Sequence, residues 1–271
     1  MRHVPVAPVA PIVVVGVLAG FLAGLFGVGG GVLVVPALVI ATSMSQRMAH
    51  GTSLAAVVPI SIASLAVYTA QDNVDWEVTL WLAPGAIFGA IVGTRLLHVL
   101  PQRTLGLLFA ALLLASAVRL FLATDTTGRA ELSVLGVVAL LAIGLATGIV
   151  AGLLGVGGGV VMIPAMILLF SISPVLAKGT SAAVIVPTAL IGTWRNRSTG
   201  NVDLRAAWIV GVAGIVTAAL GGLLADRMSD QVSNVLFATL LLIVAGRLLW
   251  QLGRDRHRER RAGVTTRTPP I

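Results

Sequence analysis

A glycine-rich segment that occurs twice constrains the fold of this 271-residue chain more than any other feature. Residues 23–31, AGLFGVGGG, return as residues 151–159, AGLLGVGGG, a shift of 128 positions. The same shift aligns later motifs without a gap, and 22 of the 48 positions from Ile12 to Pro59 are identical to their partners. Shared composition does not produce identity at this level, so the chain is a duplicated unit.

Composition places both copies in a lipid bilayer. Hydrophobic residues make up 57% of the chain and charged residues 10%, against roughly a quarter charged in a soluble domain. Because backbone groups inside a bilayer of about 30 Å of hydrocarbon must be paired within their own segment, the long apolar runs are predicted to be helices. These runs cover residues 11–42, 52–70, 78–97, 104–122, 134–170, 180–194, 206–225 and 232–250.

The ends of the runs carry markers of the membrane surface. All five tryptophans lie at run ends, as in an interfacial aromatic belt: Trp76, Trp81, Trp194, Trp208 and Trp250. The basic stretch 253–271 is predicted to be a disordered tail on the cytoplasmic side of the plasma membrane. The predicted divisions are a first repeat at 1–124, a loop at 125–133, a second repeat at 134–252 and this tail.

Runs 11–42 and 134–170 are too long for one simple crossing, and each contains a glycine cluster followed five residues later by a proline. Each is predicted to be broken, either as a re-entrant pair of half-helices, as two short crossings or as one discontinuous crossing. Re-entrant pairs give each repeat an odd number of crossings and so invert the second repeat. The cytoplasmic side then receives 14 of the 18 basic residues, against 13 for parallel repeats, so the positive-inside rule favours inversion by one residue.

The predicted fold is therefore an all-α polytopic membrane protein with two homologous repeats, residues 11–122 and 134–250, inverted relative to each other. Each repeat has a glycine-broken first segment followed by three transmembrane helices.

The two glycine clusters are the first candidate site. Without side chains the backbone can leave helical geometry, and the amino-terminal ends of half-helices then offer N–H groups and a positive dipole to an anion. Close helix packing is the alternative, and it is preferred for the upstream ladder at residues 16, 20 and 24 and its copy at 144, 148 and 152. The clusters themselves are predicted to line the substrate site: Gly27, Gly29, Gly30, Gly31, Gly155, Gly157, Gly158 and Gly159.

A second repeated motif, Gly-Thr-Ser, opens the next apolar runs and supplies further candidates. Its hydroxyls either cap helices or contact substrate, and the cation before each copy either donates to an oxyanion or sits at the interface. The predicted site residues are His50, Thr52 and Ser53 with their partners Lys178, Thr180 and Ser181.

The repeated Asn-Val-Asp at residues 73–75 and 201–203 is predicted to form turns and caps, with a gating contribution as the alternative. Arg119 and Arg247 are predicted to reach the interface by snorkelling.

Enzyme, metal and nucleotide sites are not indicated. The chain has no cysteine and four scattered histidines, and no Ser/His/Asp constellation appears. Val32 stands where a dinucleotide fingerprint has glycine, and no Lys-Ser/Thr follows as in a P-loop. We therefore expect no catalysis and no cofactor. The expected partners are a small anion and the bilayer, not nucleic acid, and both a monomer and a homo-oligomer stay open.

The paired GVGGG-x4-Pro and GTS-x5-Pro elements resemble those of the sulfite exporter TauE/SafE family of permeases over about residues 12–250. The resemblance implies a plasma-membrane permease that moves small sulfur-containing anions, such as sulfite, sulfoacetate or related organosulfonates, generally outward. A broken-helix site with several donors and few acids agrees with an anion. A passive anion channel, an importer of a related anion and a non-transporting scaffold are the alternatives. No ATP-binding motif is present, so transport would draw on a gradient or a partner.

Overall fold

The computed structural model describes residues 9–42, 44–96, 107, 110–111, 113–118 and 133–264, and over these ranges it is helical with no strand. The all-α prediction is confirmed. Residues 113–118, within the predicted run 104–122, are helical, whereas Arg119 and loop residues 125–132 lie outside the described residues. The longer helices are α1 Val9–Phe26, α2 Gly31–Thr42, α3 Gln46–Ala70, α4 Trp76–Leu96, α5 Val134–Leu154, α6 Gly159–Phe170, α7 Pro174–Ser198, α8 Leu204–Asp226 and α9 Asp230–Val264.

Seven of the described helices are long and apolar enough to cross a membrane. They are α1, α3, α4, α5, α7, α8 and the Asp230–Gln251 part of α9. In contrast, α2 and α6 have 12 residues each, or about 18 Å of helix, which is too short for about 30 Å of hydrocarbon. The chain is therefore a multi-pass membrane protein, and the first segment of each repeat combines a long helix with a half-length one.

Each first segment is broken at its glycine cluster, as predicted. The φ angles are +65°, +75° and +73° at Gly27, Gly29 and Gly30, and the corresponding glycines of the second repeat also have positive φ. Only glycine adopts such angles at little cost, so the cluster makes a turn that other residues would strain. The turn sends α2 back along α1. This is shown by the close approach at Gly30, where an added Cβ atom would lie 2.7 Å from the carbonyl oxygen of Ala19, which is in α1. The segment is a re-entrant pair.

Equivalent helices of the two repeats run in opposite directions. Leu54, near the start of α3, packs on Gly192, near the end of α7, whereas Tyr68, near the end of α3, packs on Gly179, near the start of α7. Two helices with matched sequences that lie antiparallel are related by a two-fold axis in the membrane plane. The predicted inversion is confirmed.

Small residues join the repeats crosswise. α1 packs on α8, where a Cβ atom at Gly16 would lie 2.5 Å from the carbonyl oxygen of Val210. α5 packs on α4 in the same way, with 2.7 Å between a Cβ atom at Gly152 and the carbonyl oxygen of Ala90. The packing role predicted for the glycine ladders is confirmed. The first helix of each repeat is thus held by a helix of the other repeat.

The structure differs from the prediction for the tail and agrees with it for the tryptophans. The tail expected to be disordered from residue 253 is helical as far as Val264, and residues 265–271 lie outside the described residues. The sequence there is rich in arginine, which favours helix, and the Arg254 guanidinium lies 4.6 Å from the centre of the Trp250 ring. The tryptophans agree with the interfacial prediction, since all five are exposed, from 37% to 70% of their surface.

Candidate functional site

The two glycine turns meet in the interior of the protein. A Cβ atom at Gly31 would lie 2.5 Å from the carbonyl oxygen of Gly155, and one at Gly159 would lie 2.7 Å from the Cα atom of Val28. The backbones therefore approach as closely as only glycine permits. Residues 27–32 and 155–160 are buried. The contact brings together the amino-terminal ends of α2 and α6, whose dipoles both place partial positive charge there.

The backbone amides of these turns are the main polar groups of the candidate site. Gly27 and Gly155 donate to the ends of their preceding helices, and the next amides that donate are those of Leu33 and Val161. Within the described part of the chain, the amides of residues 28–32 and 156–160 donate to no protein acceptor. Leaving one such group unpaired in a dry interior costs about 1–3 kcal/mol. The two turns therefore place two sets of buried amides without a described protein acceptor close to each other.

Apolar side chains stand against the centre of the two turns. Gly29 and Gly157 face the same pair, Val57 of α3 and Ile185 of α7. A Cβ atom at Gly29 would lie 3.1 Å from Val57 Cγ1 and 3.2 Å from Ile185 Cγ2, and at Gly157 the corresponding distances are 3.7 and 3.5 Å. Gly30 and Gly158 face away from the other repeat, toward Ala19 and Thr147 of the preceding helices.

The serines of the two Gly-Thr-Ser motifs differ in their bonding. Ser53 Oγ donates to the carbonyl oxygen of Gly155 at 2.9 Å. Ser181, at the matched position, is fully buried, and its Oγ has no hydrogen-bond partner among the described residues. It would lie 2.8 Å from a Cβ atom at Gly159, at the start of α6. Ser181 therefore offers a hydroxyl beside the unpaired amides.

The threonines of these motifs hold the other repeat. Thr52 Oγ1 accepts from the Asp203 amide, and Thr180 Oγ1 accepts from the Asp75 amide, both at 2.9 Å. The two aspartates cap α8 and α4 through their carboxylates, as predicted for the Asn-Val-Asp motifs. The sequence left open that the threonines cap their own helices, and this prediction is wrong. Both motifs lie inside α3 and α7, which begin earlier, at Gln46 and Pro174.

The basic residues before these motifs, His50 and Lys178, contact the residues that precede the glycine turns. The Nδ1 atom of His50 lies 2.5 Å from the carbonyl oxygen of Leu154. The ammonium of Lys178 donates to Ser233 and lies 5.8 Å from the centre of the Phe26 ring. The backbone of Lys178 contacts Gly27, as the backbone of His50 contacts Gly155. Both side chains are thus tied to protein groups that border the turns.

Several features of the site were missed by the sequence reasoning. Val57 and Ile185 are related by the 128-residue shift and so could have been found as a repeated pair, but two aliphatic residues in an apolar run give no signal of their own. The hydroxyls of Ser61, Ser64 and Thr147 are buried without a described partner. Nothing in the sequence separates them from serines and threonines that bond to their own helix.

Comparison with known proteins finds the same family in both repeats. The sulfite exporter TauE/SafE family matches the chain twice, at residues 12–141 and 140–271, one match for each repeat. The chain belongs to this family. No solved structure matches it.

Relatives of this family member are named as membrane transporters. The probable membrane transporter protein YunE of Bacillus subtilis (strain 168) is 25% identical over 262 residues, covering 87% of this chain and 94% of the relative. One from Xylella fastidiosa (strain 9a5c) is 29% identical over 242 residues, covering 87% and 93%. MJ0441 of Methanocaldococcus jannaschii is 26% identical over 252 residues, covering 85% and 91%. These names state no substrate.

Proposed function

We propose that this TauE/SafE protein is a secondary transporter that moves small sulfur-containing oxyanions, such as sulfite or organosulfonates, out of the cell. The observation that carries the proposal is the pair of facing glycine turns with buried, unpaired amides at residues 28–32 and 156–160. Two helix amino-termini converge there, and such ends bind anions through their N–H groups and dipoles. A tetrahedral or pyramidal oxyanion carries several acceptors and fits donors that arrive from two sides.

The chemistry of the surroundings supports an anion over a cation. Ser181 adds a buried hydroxyl to the amides, and the ammonium of Lys178 lies buried beside Phe26, immediately before the first turn. The carboxylates of Asp75 and Asp203 are engaged in capping the next helices. A cation at the turns would meet N–H groups and a partial positive charge, which repel it.

The distribution of arginine supports a direction for the chain in the membrane. Arg195, near the end of α7, donates to Thr94 at the end of α4 at 3.1 Å, so these ends share one side of the membrane. Arg47 and Arg205, at the starts of α3 and α8, belong to the same side as the Arg-rich end of α9. By the positive-inside rule, this distribution supports the proposal that this side is cytoplasmic and that the protein lies in the plasma membrane.

Efflux from proteoliposomes tests the proposal. Vesicles loaded with radiolabelled sulfite should release it when they contain the protein, and Gly157→Val should reduce the rate at least about tenfold, which corresponds to ~1.4 kcal/mol. Gly200→Val is the matched control, because Gly200 also has positive φ, at +72°, with no atom within 4 Å of an added Cβ. The control introduces the same side chain and backbone strain away from the turns. Equal efflux by the two variants would contradict the proposed site.

Counterflow separates this carrier from the passive channel. A carrier accelerates the entry of labelled sulfite when unlabelled sulfite is trapped on the other side, and the exchange saturates. Unitary currents in a planar bilayer with no accelerated exchange would instead assign a channel.

A further inference from the structure

We propose that Val57 and Ile185 form the apolar gate that closes the anion path at the pseudo-two-fold axis between the repeats. The inference rests on the proposed transport function and adds the residues that decide when an anion passes. The two positions are related by the 128-residue shift and lie on the equivalent helices α3 and α7. A symmetric pair at the axis contacts both glycine turns in the same way. A solute would therefore meet the same pair from either side of the membrane.

The pair closes directly over the candidate site. Both side chains are fully buried, and both stand within 3.1–3.7 Å of the positions that Cβ atoms would take at Gly29 and Gly157. These glycines are the central ones of the two turns whose amides lack protein acceptors. With Leu54 and Ala189 the pair forms a small apolar cluster of its own between α3 and α7.

Hydroxyl groups lie on α3 and α7 beyond the apolar pair. Ser61 and Ser64 follow Val57 by one and two helical turns, and Ser181 precedes Ile185 by one. Because the helices are antiparallel, all three serines lie on the same side of the gate. Their Oγ atoms are buried and have no partner among the described residues, which indicates a lining that meets water or solute when the path is open.

The other side of the gate also carries hydroxyls, of which that of Ser53 donates to the Gly155 carbonyl. Ser53 precedes Val57 by one turn, and Thr193, near Gly192 where Leu54 packs, has a buried Oγ1 without a described partner. A short apolar cluster thus separates two hydroxyl-bearing stretches. An apolar constriction expels water and blocks a hydrated anion although the walls carry no charge, which is how hydrophobic gates close channels and transporters.

Substitution of the gate residues by a smaller or equal-sized polar residue is the test. Val57→Thr and Ile185→Thr, alone and together, add a hydroxyl that attracts water, and buried threonine is tolerated in these helices, since Thr188 donates to the Val184 carbonyl at 2.7 Å. We expect the double variant to release trapped chloride or sulfite down its gradient at least about tenfold faster than the native protein, without exchange substrate on the other side. The matched controls are Ile62→Thr and Leu190→Thr on the exposed faces of the same helices. A leak that is unchanged in the double variant, or raised equally by the controls, would overturn the gate.

A second measurement does not depend on sulfite transport. The chain has no cysteine, so Ser64→Cys introduces the single thiol. A membrane-impermeant thiol reagent should label it from the side on which α3 ends, and from both sides once Val57→Thr and Ile185→Thr are added. Any other labelling pattern in the protein with the native gate contradicts the proposal. If the native protein exchanges no sulfite, the transport function fails while this labelling still decides whether the gate exists.

Discussion

Matched residues in the two repeats have taken different roles, and the two serines show this most directly. Ser53 satisfies the carbonyl oxygen of Gly155, which belongs to the structure of the turn. Ser181 keeps a buried hydroxyl that no described protein group uses. The same residue at the same position thus supports the fold in one repeat and leaves a hydroxyl without a described partner in the other.

This difference predicts that replacing each serine by alanine affects a different property of the protein. Ser181→Ala should raise the KM for sulfite several-fold, since one hydrogen bond contributes about 0.5–1.5 kcal/mol, and should leave the thermal unfolding temperature nearly unchanged. Ser53→Ala should lower that temperature, because the Gly155 carbonyl loses its donor. Transport kinetics and thermal unfolding of both variants provide the comparison. A KM that responds to neither substitution would remove Ser181 from the site.

The sequence predicted some of these residues and misread others. The turns at residues 27–31 and 155–159 could be predicted because clustered glycine has few other uses in a membrane helix. The Gly-Thr-Ser motifs were placed at helix starts because the apolar runs begin there. The polar residues that precede Gly51 proved helical, with Ser45 as the cap. The contact of Lys178 with Ser233 joins residues 55 positions apart, and spacing along the chain gives no sign of it.

At the level of helices, packing depends on backbone contact between small residues. The carbonyl of Ala86 in α4 lies against Gly148 in α5, and the carbonyl of Ala218 in α8 lies against Gly24 in α1. In both pairs a Cβ atom on the glycine would collide with backbone rather than with a movable side chain. Since lipid offers no hydrophobic force between helices, such close approach is what holds them together.

Gly148→Val should therefore weaken the contact of α4 with α5. It should lower the free energy of unfolding in detergent by about 1–3 kcal/mol, the usual cost of overpacking. Gly246→Val, in α9 with no atom within 4 Å of an added Cβ, is the control. Chemical denaturation of both variants gives the difference. Equal stability would mean that the ladder does not determine this packing.

Over the whole molecule, the repeats are interlocked rather than placed side by side. α1 is packed on α8 and α5 on α4, and the threonine of each Gly-Thr-Ser motif binds an aspartate amide of the other repeat. The duplication was evident from the sequence, but this exchange was not. The 128-residue shift shows which segments of the two repeats are similar in sequence. It does not show which helices pack against each other.

The exchange predicts that the halves do not fold separately. Residues 1–129 and 130–271, produced as two chains, should each be degraded or aggregate alone, because α1 and α5 then lack their packing partners. Produced together they should co-purify and transport sulfite. Affinity purification through a tag on one half measures this. Either half forming a stable monomer alone would contradict the interlocked arrangement.

The central claim is that unpaired amides of two glycine turns bind a small oxyanion, and equilibrium binding to the purified protein tests it most directly. Native protein should bind labelled sulfite saturably, with competition by sulfate, thiosulfate or a short sulfonate ranking the substrates. Gly157→Val should weaken binding at least about tenfold, and Gly200→Val should leave it unchanged. No saturable binding of any of these anions to the native protein, or equal binding by both variants, would contradict the account.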